Sequence, residues 1–373
     1  MYNADTTIYM YYGNPNVASQ EQPREVWDDD YAGVWHLKEN GSASNYEDST
    51  DNMNVGVGGS VTSNASPTQS TPPPVSNSVV GSSQDFDGTD DRVDGPTESY
   101  FNQVPFTTSA WAKFDTLPSA MGHHPWISGK VHNGSPYRSW ALTGTPTTDK
   151  IRFPVTDSGG TDHNIQSNSV IVTGTWYYIV GTLDSSYDMK LYVNGVLQDQ
   201  TTKAGSIYPA DSELSIGERR GSGEHEGIID EVRFSSVTRS ADWIKTQYNM
   251  QFPDNQGAPV NISGEPDTVD NTKFIKKRGR QQRYYQYRRL ITINKNEVEG
   301  THTDFPVLIN LTLGAGKARA DGYDIIFTNM YGDKLDHEIE SFNSSTGEVF
   351  AWVKIPTLSS LADTKLYIHY GNA

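Results

Sequence analysis

Short apolar or alternating runs, each ended by Gly, Asn, Asp or Pro, recur along this chain at intervals of roughly ten residues. Thr175–Leu183 (TWYYIVGTL), Met189–Val193 (MKLYV) and Gly227–Phe234 (GIIDEVRF) are examples. Successive side chains of a strand point to opposite faces, so such runs bury one face or both. Their cadence predicts an all-β sandwich. Asn194-Gly195, between LYV and VLQ, predicts a two-residue hairpin, because both turn positions need positive φ. One segment, Ser240–Gln251, has a helical period: Ser240 can cap it, and Trp243, Ile244 and Tyr248 fall on one face.

Breaks in this pattern divide the chain. Val57–Ser83 is rich in Gly, Ser, Thr and Pro and reads as a long loop inside the first domain. Residues 252–286 read as an interdomain linker: a polar stretch with scattered Pro, Gly and Asp runs into the basic FIKKRGRQQRYYQYRR (274–289). A second β domain follows over 287–373. The opening phrase ADTTIYMYYGN (4–14) returns at the far end as ADTKLYIHYGN (362–372), with Leu366 and Ile368 answering Ile8 and Met10. Residues 1–15 therefore read as a detached copy of the second domain's last strand, joined by a linker (16–29) to a first domain over 30–251. Self-similarity of this kind marks a repeat array or a subunit that joins its neighbours.

The 373 residues carry a net charge of −17, which argues against a nucleic-acid or anionic-membrane partner for the whole surface. There are no cysteines, so neither disulfides nor thiolate metal sites are available. No apolar run approaches a membrane span, and MYNADTTIYMYYGN lacks the charged start and apolar core of a signal peptide. Abundant Asn, Ser, Thr, Gly and Tyr suit a solvated extracellular β protein on a cell or virion surface, its export encoded upstream or achieved by another route.

Residues 30–251 resemble the laminin-G-like, concanavalin A-type jelly roll of bacterial, archaeal and phage surface proteins. The resemblance rests on AGVWHLKE (32–39), EDSTDNMNVG (47–56), QDFDGTDDRV (84–93), TTSAWAKF (107–114), WISGK (126–130), TWYYIVGTLD (175–184), MKLYVNGVL (189–197), LSIGE (214–218) and GIIDEVRFSSVTRSADWI (227–244), in that order. Residues 288–373 resemble a small β-sandwich domain of unknown function, on RRLITIN (288–294), DFPVLINLT (304–312), GYDIIFTN (322–329), KLDHEIESFNSSTGEVFAWVKIPTLS (334–359) and DTKLYIHYGN (363–372).

The jelly-roll resemblance implies a structural Ca2+ held by Asp48, Asn52 and Asp230, with carbonyls near His36 adding oxygens. Asp51 stands where the family has Gly and either adds a ligand or disturbs the turn. The competing reading makes these residues Asx-turn holders of tight loops. Asp87, Asp90 and Asp91 read as a turn. A glycan site needs an aromatic platform and a few polar groups on a concave face. Trp126, Lys130, Tyr137, Arg138 and Trp140 border that face, and Arg219 on a following loop adds a polar contact; the alternative places the aromatics in the core.

No enzyme is expected. The jelly-roll hydrolases place catalytic carboxylates in an E-x-D-x-x-E run, which is absent, and strand alternation sends Asp230 and Glu231 to opposite faces. No GxSxG or HExxH occurs. His123, His124 and His132 read as a polar loop, and the basic run as a solvated linker. The expected function is a non-catalytic extracellular structural or adhesive subunit. It would assemble head-to-tail with copies of itself by strand exchange or addition, with Ile8, Tyr9, Met10, Tyr11 and Tyr12 taking the slot of residues 363–372 or the edge beside it. Docking on the chain's own sandwiches and disorder are the other fates open to this segment. The alternative is a carbohydrate-binding module for surface glycans.

Overall fold

The computed structural model describes residues 19–40, 45–59, 74–75, 79–202, 205–251, 260–268 and 285–371. The detached strand with Ile8, Tyr9, Met10, Tyr11 and Tyr12 lies outside them, as does most of the basic run. The described chain is all-β apart from three short helices and two 3-10 turns.

The first domain is a jelly roll of two antiparallel sheets. One runs through Val196–Thr202, Asp188–Val193, Trp176–Leu183, Phe106–Phe114, Glu226–Ser235, Ser83–Asp87 and Pro74–Val75, and Tyr31–Trp35 pairs with the 226–235 strand. The other runs through Asp162–Val170, Lys150–Thr156, Arg138–Thr145, Trp126–Val131, Leu214–Ile216, Val93–Asp94, Gly56–Gly58 and Asn45–Tyr46. Between them lies an aromatic core in which Phe234 stacks on Phe106 at 5.4 Å and on Trp140 at 5.3 Å. Burying each such ring stabilises the fold by roughly 1.5–3 kcal/mol. The sheets approach closely where Gly181 faces Phe153: a Cβ there would sit 2.6 Å from the ring. The Asn194-Gly195 hairpin forms as expected, with φ of 54° and 72°. So does the helix Ala241–Gln251, where Ser240 Oγ accepts from Trp243 N at 3.1 Å.

The second domain is a smaller sandwich. A five-stranded sheet orders Val260–Thr268, Tyr287–Ile293, Thr364–Tyr370, Ile326–Asn329 and Lys334–Leu335. It faces a three-stranded sheet of His302–Thr312, Glu348–Leu358 and His337–Asn343. Two sequence boundaries need correction. Residues 260–268, expected within a linker, form the edge strand of the five-stranded sheet, with Val260 opposite Ile293. The ladder satisfies backbone groups that would otherwise line a bare edge. Residues 19–27, expected in the other linker, pack on the small sandwich: Gln22 N donates to His337 O at 2.8 Å, and the Trp27 ring lies 5.3 Å from Trp352.

One apolar cluster crosses from domain to domain. Trp111 and Tyr178, on the outer face of the first sheet, lie against the 241–251 helix, with Trp111 5.8 Å from Tyr248. The helix then presents Trp243 to Phe305 of the small sandwich at 4.5 Å. The central strands of the first sheet, Phe106–Phe114 and Glu226–Ser235, are thus buried on both faces. Among the described residues, the apolar cluster on the second sheet's outer face is a small satellite of Trp126, Val131 and Ala141.

Candidate functional site

That outer face holds a concentration of positive charge. Along Lys150–Thr156, Ile151, Phe153 and Val155 enter the core, which turns Arg152 outward. Arg152 Nε donates to Asn164 Oδ1 on the neighbouring strand at 2.8 Å. Arg138 ion-pairs with Asp162, and Arg152 Nη2 lies 3.8 Å from the same carboxylate. Asp162 Oδ1 also accepts from Thr156 Oγ1 at 2.6 Å. Tyr137 is 50% exposed at a left-handed position (φ 66°), and the Arg219 guanidinium sits 4.9 Å from its ring centre. Arg219 is braced by Ser222 Oγ at 2.7 Å, in a loop that folds over Trp126, whose backbone N–H donates to Gly223 O at 2.7 Å.

Three guanidiniums therefore surround Asp162 and Tyr137. Burial and the neighbouring Arg138 pull Arg152 down to about 10, with Asp162 opposing them. Burial also lowers Arg138 and Arg219, and the repulsion between the two adds to the effect on Arg138. His124, beside Arg152, is lowered by burial, against a hydrogen bond with the Gly144 carbonyl that raises it, and the same arginines lower it further. A planar fork of N–H donors matches a carboxylate or sulfate, and an exposed tyrosine offers a stacking face.

Of the six residues expected to bind glycan, the structure brings Tyr137, Arg138 and Arg219 together here. It takes Trp140 and Lys130 away: Trp140 is fully buried between the sheets and donates to Phe101 O at 2.8 Å. Lys130 is also fully buried, its Nζ 5.8 Å from the Phe101 ring, and burial pulls its pKa down to about 8. Trp126 forms the floor beneath the loop rather than a platform, donating to Ser215 O at 3.0 Å. The sequence reading missed Arg152 and Asp162; a charged residue between Ile151 and Phe153 was the available signal.

The loop nominated for calcium is organised by hydrogen bonds. Asp48 accepts from Val34 N, Thr50 N, Asn54 N and Thr50 Oγ1 at 2.8–3.0 Å, so both its oxygens are engaged in holding the loop. Asn52 Nδ2 donates to Tyr31 O at 3.1 Å, and Asp51 is exposed. Asp230 Oδ2 accepts from Val79 N and Val80 N, both at 3.1 Å. In the 87–91 segment Asp87 N donates to Asp91 Oδ2 at 3.0 Å, a bond that closes a turn. His132 pairs with Asp211 at 2.7 Å while His123 faces Glu224, so the histidines do not converge.

A second polar cluster lies between the domains. A bulge in the 226–235 strand, with Glu231 at φ 53°, breaks the alternation that was expected to part Asp230 from Glu231. Both are fully buried and both feel Glu340 of the small sandwich. His36 Nδ1 lies 2.8 Å from Glu231 Oε1, and its Nε2 lies 3.2 Å from Glu338 Oε2. Ser49 Oγ and Trp27 Nε1 also donate to Glu338, at 2.7 and 3.2 Å. Arg233 bonds Glu231 while its guanidinium lies between the Trp27 and Trp352 rings, 4.7 and 4.6 Å away. Burial opposes charge on His36, but Glu231, Glu340 and Glu338 together outweigh it and raise its pKa. Burial pushes Glu340 up to about 7.

Residues 87–245 match the concanavalin A-like lectin/glucanases superfamily, and residues 321–373 match a domain of unknown function, DUF2341. The chain thus carries a concanavalin A-like domain followed by that second β domain. No curated protein matches the chain. Among solved structures, domain 4 of AbnA, a GH43 extracellular arabinanase from Geobacillus stearothermophilus solved with arabinotriose, shares 17% identity over 57% of this chain and 96% of its own, with a TM-score of 0.46. The binding domain of Paraclostridial Mosquitocidal Protein 1 shares 14% over 92% of each chain, TM-score 0.47. The Trypanosoma rangeli sialidase shares 16% over 61% of this chain and 34% of its own, TM-score 0.43. Among the described residues no helix is long and apolar enough to cross a membrane.

Proposed function

We propose that this chain is a non-catalytic extracellular module that binds acidic glycans on the outer face of its second sheet. The observation that carries this reading is the excess of guanidinium over carboxylate there: Arg138 and Arg152 flank Asp162, and Arg219 sits over the exposed ring of Tyr137. A uronate or sulfate supplies the missing negative charge, and a sugar ring stacks on tyrosine. The carboxylate within the cluster is engaged by Arg138 and Thr156, so it is poorly placed to act as an acid or nucleophile.

Titration of the full chain with oligogalacturonates, sulfated oligosaccharides and neutral glucans tests the reading. Acidic sugars should bind and neutral ones should not, with affinity falling as salt rises. Arg152→Gln and Tyr137→Ala should each weaken binding at least about tenfold, since a charge-assisted bond contributes about 1.5–3 kcal/mol. Equal affinity for neutral sugars, or full binding by Arg152→Gln, would defeat the proposal.

A second reading, assembly by strand exchange, has its own support. The core-facing residues of the Thr364–Tyr370 strand are Leu366, Ile368 and Tyr370, all buried. The N-terminal copy places Ile8, Met10 and Tyr12 at the same positions.

A further inference from the structure

The cluster between the two sandwiches has a geometry that its ion pairs leave unexplained. His36, Glu231 and Glu340 each bring one donor atom within 4.8 Å of the others, and all three are buried. His36 Nδ1 is 2.8 Å from Glu231 Oε1 and 3.3 Å from Glu340 Oε2. An ion bound ~2.1 Å from each donor holds its donors roughly 3 Å apart. Three carboxylate oxygens in the same cluster, Glu340 Oε1 and Oε2 and Asp230 Oδ1, are buried without a hydrogen-bond donor. Native interiors rarely leave such atoms unsatisfied.

The charges do not balance either. Four buried carboxylates, Asp230, Glu231, Glu338 and Glu340, are set against three cationic groups, Lys38, Arg233 and His36, which leaves one acid in excess. Burying net charge of that size is costly unless something neutralises it. A divalent cation ligated by a neutral His36 balances the four carboxylates together with Lys38 and Arg233.

We propose that His36, Glu231 and Glu340 form a binding site for a first-row divalent cation of the zinc and manganese class. One imidazole nitrogen with carboxylates suits these ions, whereas calcium takes oxygen ligands. The site differs in both ion and ligands from the calcium loop expected around Asp48. His36 and Glu231 belong to the jelly roll and Glu340 to the small sandwich, so the bound ion ties the domains together.

Elemental analysis and thermal melting of the full chain test this, first as purified and then after chelation and loading with zinc, manganese or calcium. One equivalent of zinc or manganese should bind and raise the melting temperature by several degrees over the chelated protein. Calcium should do neither. Glu340→Gln and His36→Asn should lose the equivalent, while His123→Ala, which alters a partly exposed histidine, should keep it. Substoichiometric metal after loading overturns the site, as does a shift seen only with calcium or metal retained by Glu340→Gln. If the variants fail to fold, cobalt loading of the unaltered protein decides: visible ligand-field bands of a closed nitrogen–oxygen site support it, and the spectrum of aquo-cobalt refutes it.

Discussion

The His225 ring is buried edge-on to Phe86 and Phe114, with Nε2 3.3 Å from the Lys113 carbonyl and Nδ1 without a partner. Burial holds its pKa down to about 4, against an ordinary 6.5. As pH falls, the unfolded chain therefore takes up this proton first. The stability contribution is full above about 6.5 and is lost progressively toward 4. Between pH 7 and pH 5 the loss is about 2 kcal/mol. Urea denaturation at the two pH values should show the drop, and His225→Gln, which cannot take up that proton, should reduce it by a similar amount. An unchanged pH dependence in the variant would mean that His225 is not buried neutral.

At the scale of elements, position within a sheet decides what a strand can do. The Thr364–Tyr370 strand is held on both sides, by Tyr287–Ile293 and by Ile326–Asn329. A donated copy therefore cannot add beside it, one of the two slots its sequence suggests, and must replace it. Replacement preserves every ladder bond and the burial of the alternate apolar residues, so exchange between copies is close to neutral in energy. Deleting residues 1–15 should abolish any concentration-dependent assembly in sedimentation and leave the melting temperature unchanged. Assembly by the truncated chain would dispose of strand exchange, and so would an intact chain that stays monomeric at high concentration.

For the whole molecule, the shared apolar cluster and the buried charges between the domains predict that the two sandwiches unfold together. Trp352 is fully buried against Trp27 and Arg233, at the centre of that contact. Trp352→Ala should cost about 3–5 kcal/mol. Calorimetry of the unaltered chain should show one transition, and of the variant one at lower temperature. Two resolved transitions in the unaltered chain would show that the interface does not couple the domains.

The sequence alone determined the all-β class, the two sandwiches, the Asn194-Gly195 hairpin and the helix capped by Ser240. Each rests on interactions between residues close in the chain, where period, turn chemistry and capping act directly. It placed Tyr137, Arg138 and Arg219 near one another but could not tell surface from core for Trp126, Lys130 and Trp140, because a strand's two faces look alike until the partner sheet is known. Tertiary structure alone decided the rest. The edge strand at 260–268 exists because a neighbouring ladder was open. Arg152 and Asp162 joined the arginine cluster through strand register. Asp230 and Glu231 share a buried site because one extra residue in a strand reverses the alternation. His36 and Glu340 meet across some three hundred positions of sequence only because two separately folded sandwiches bury their contact, and no local rule encodes which residues such a contact gathers.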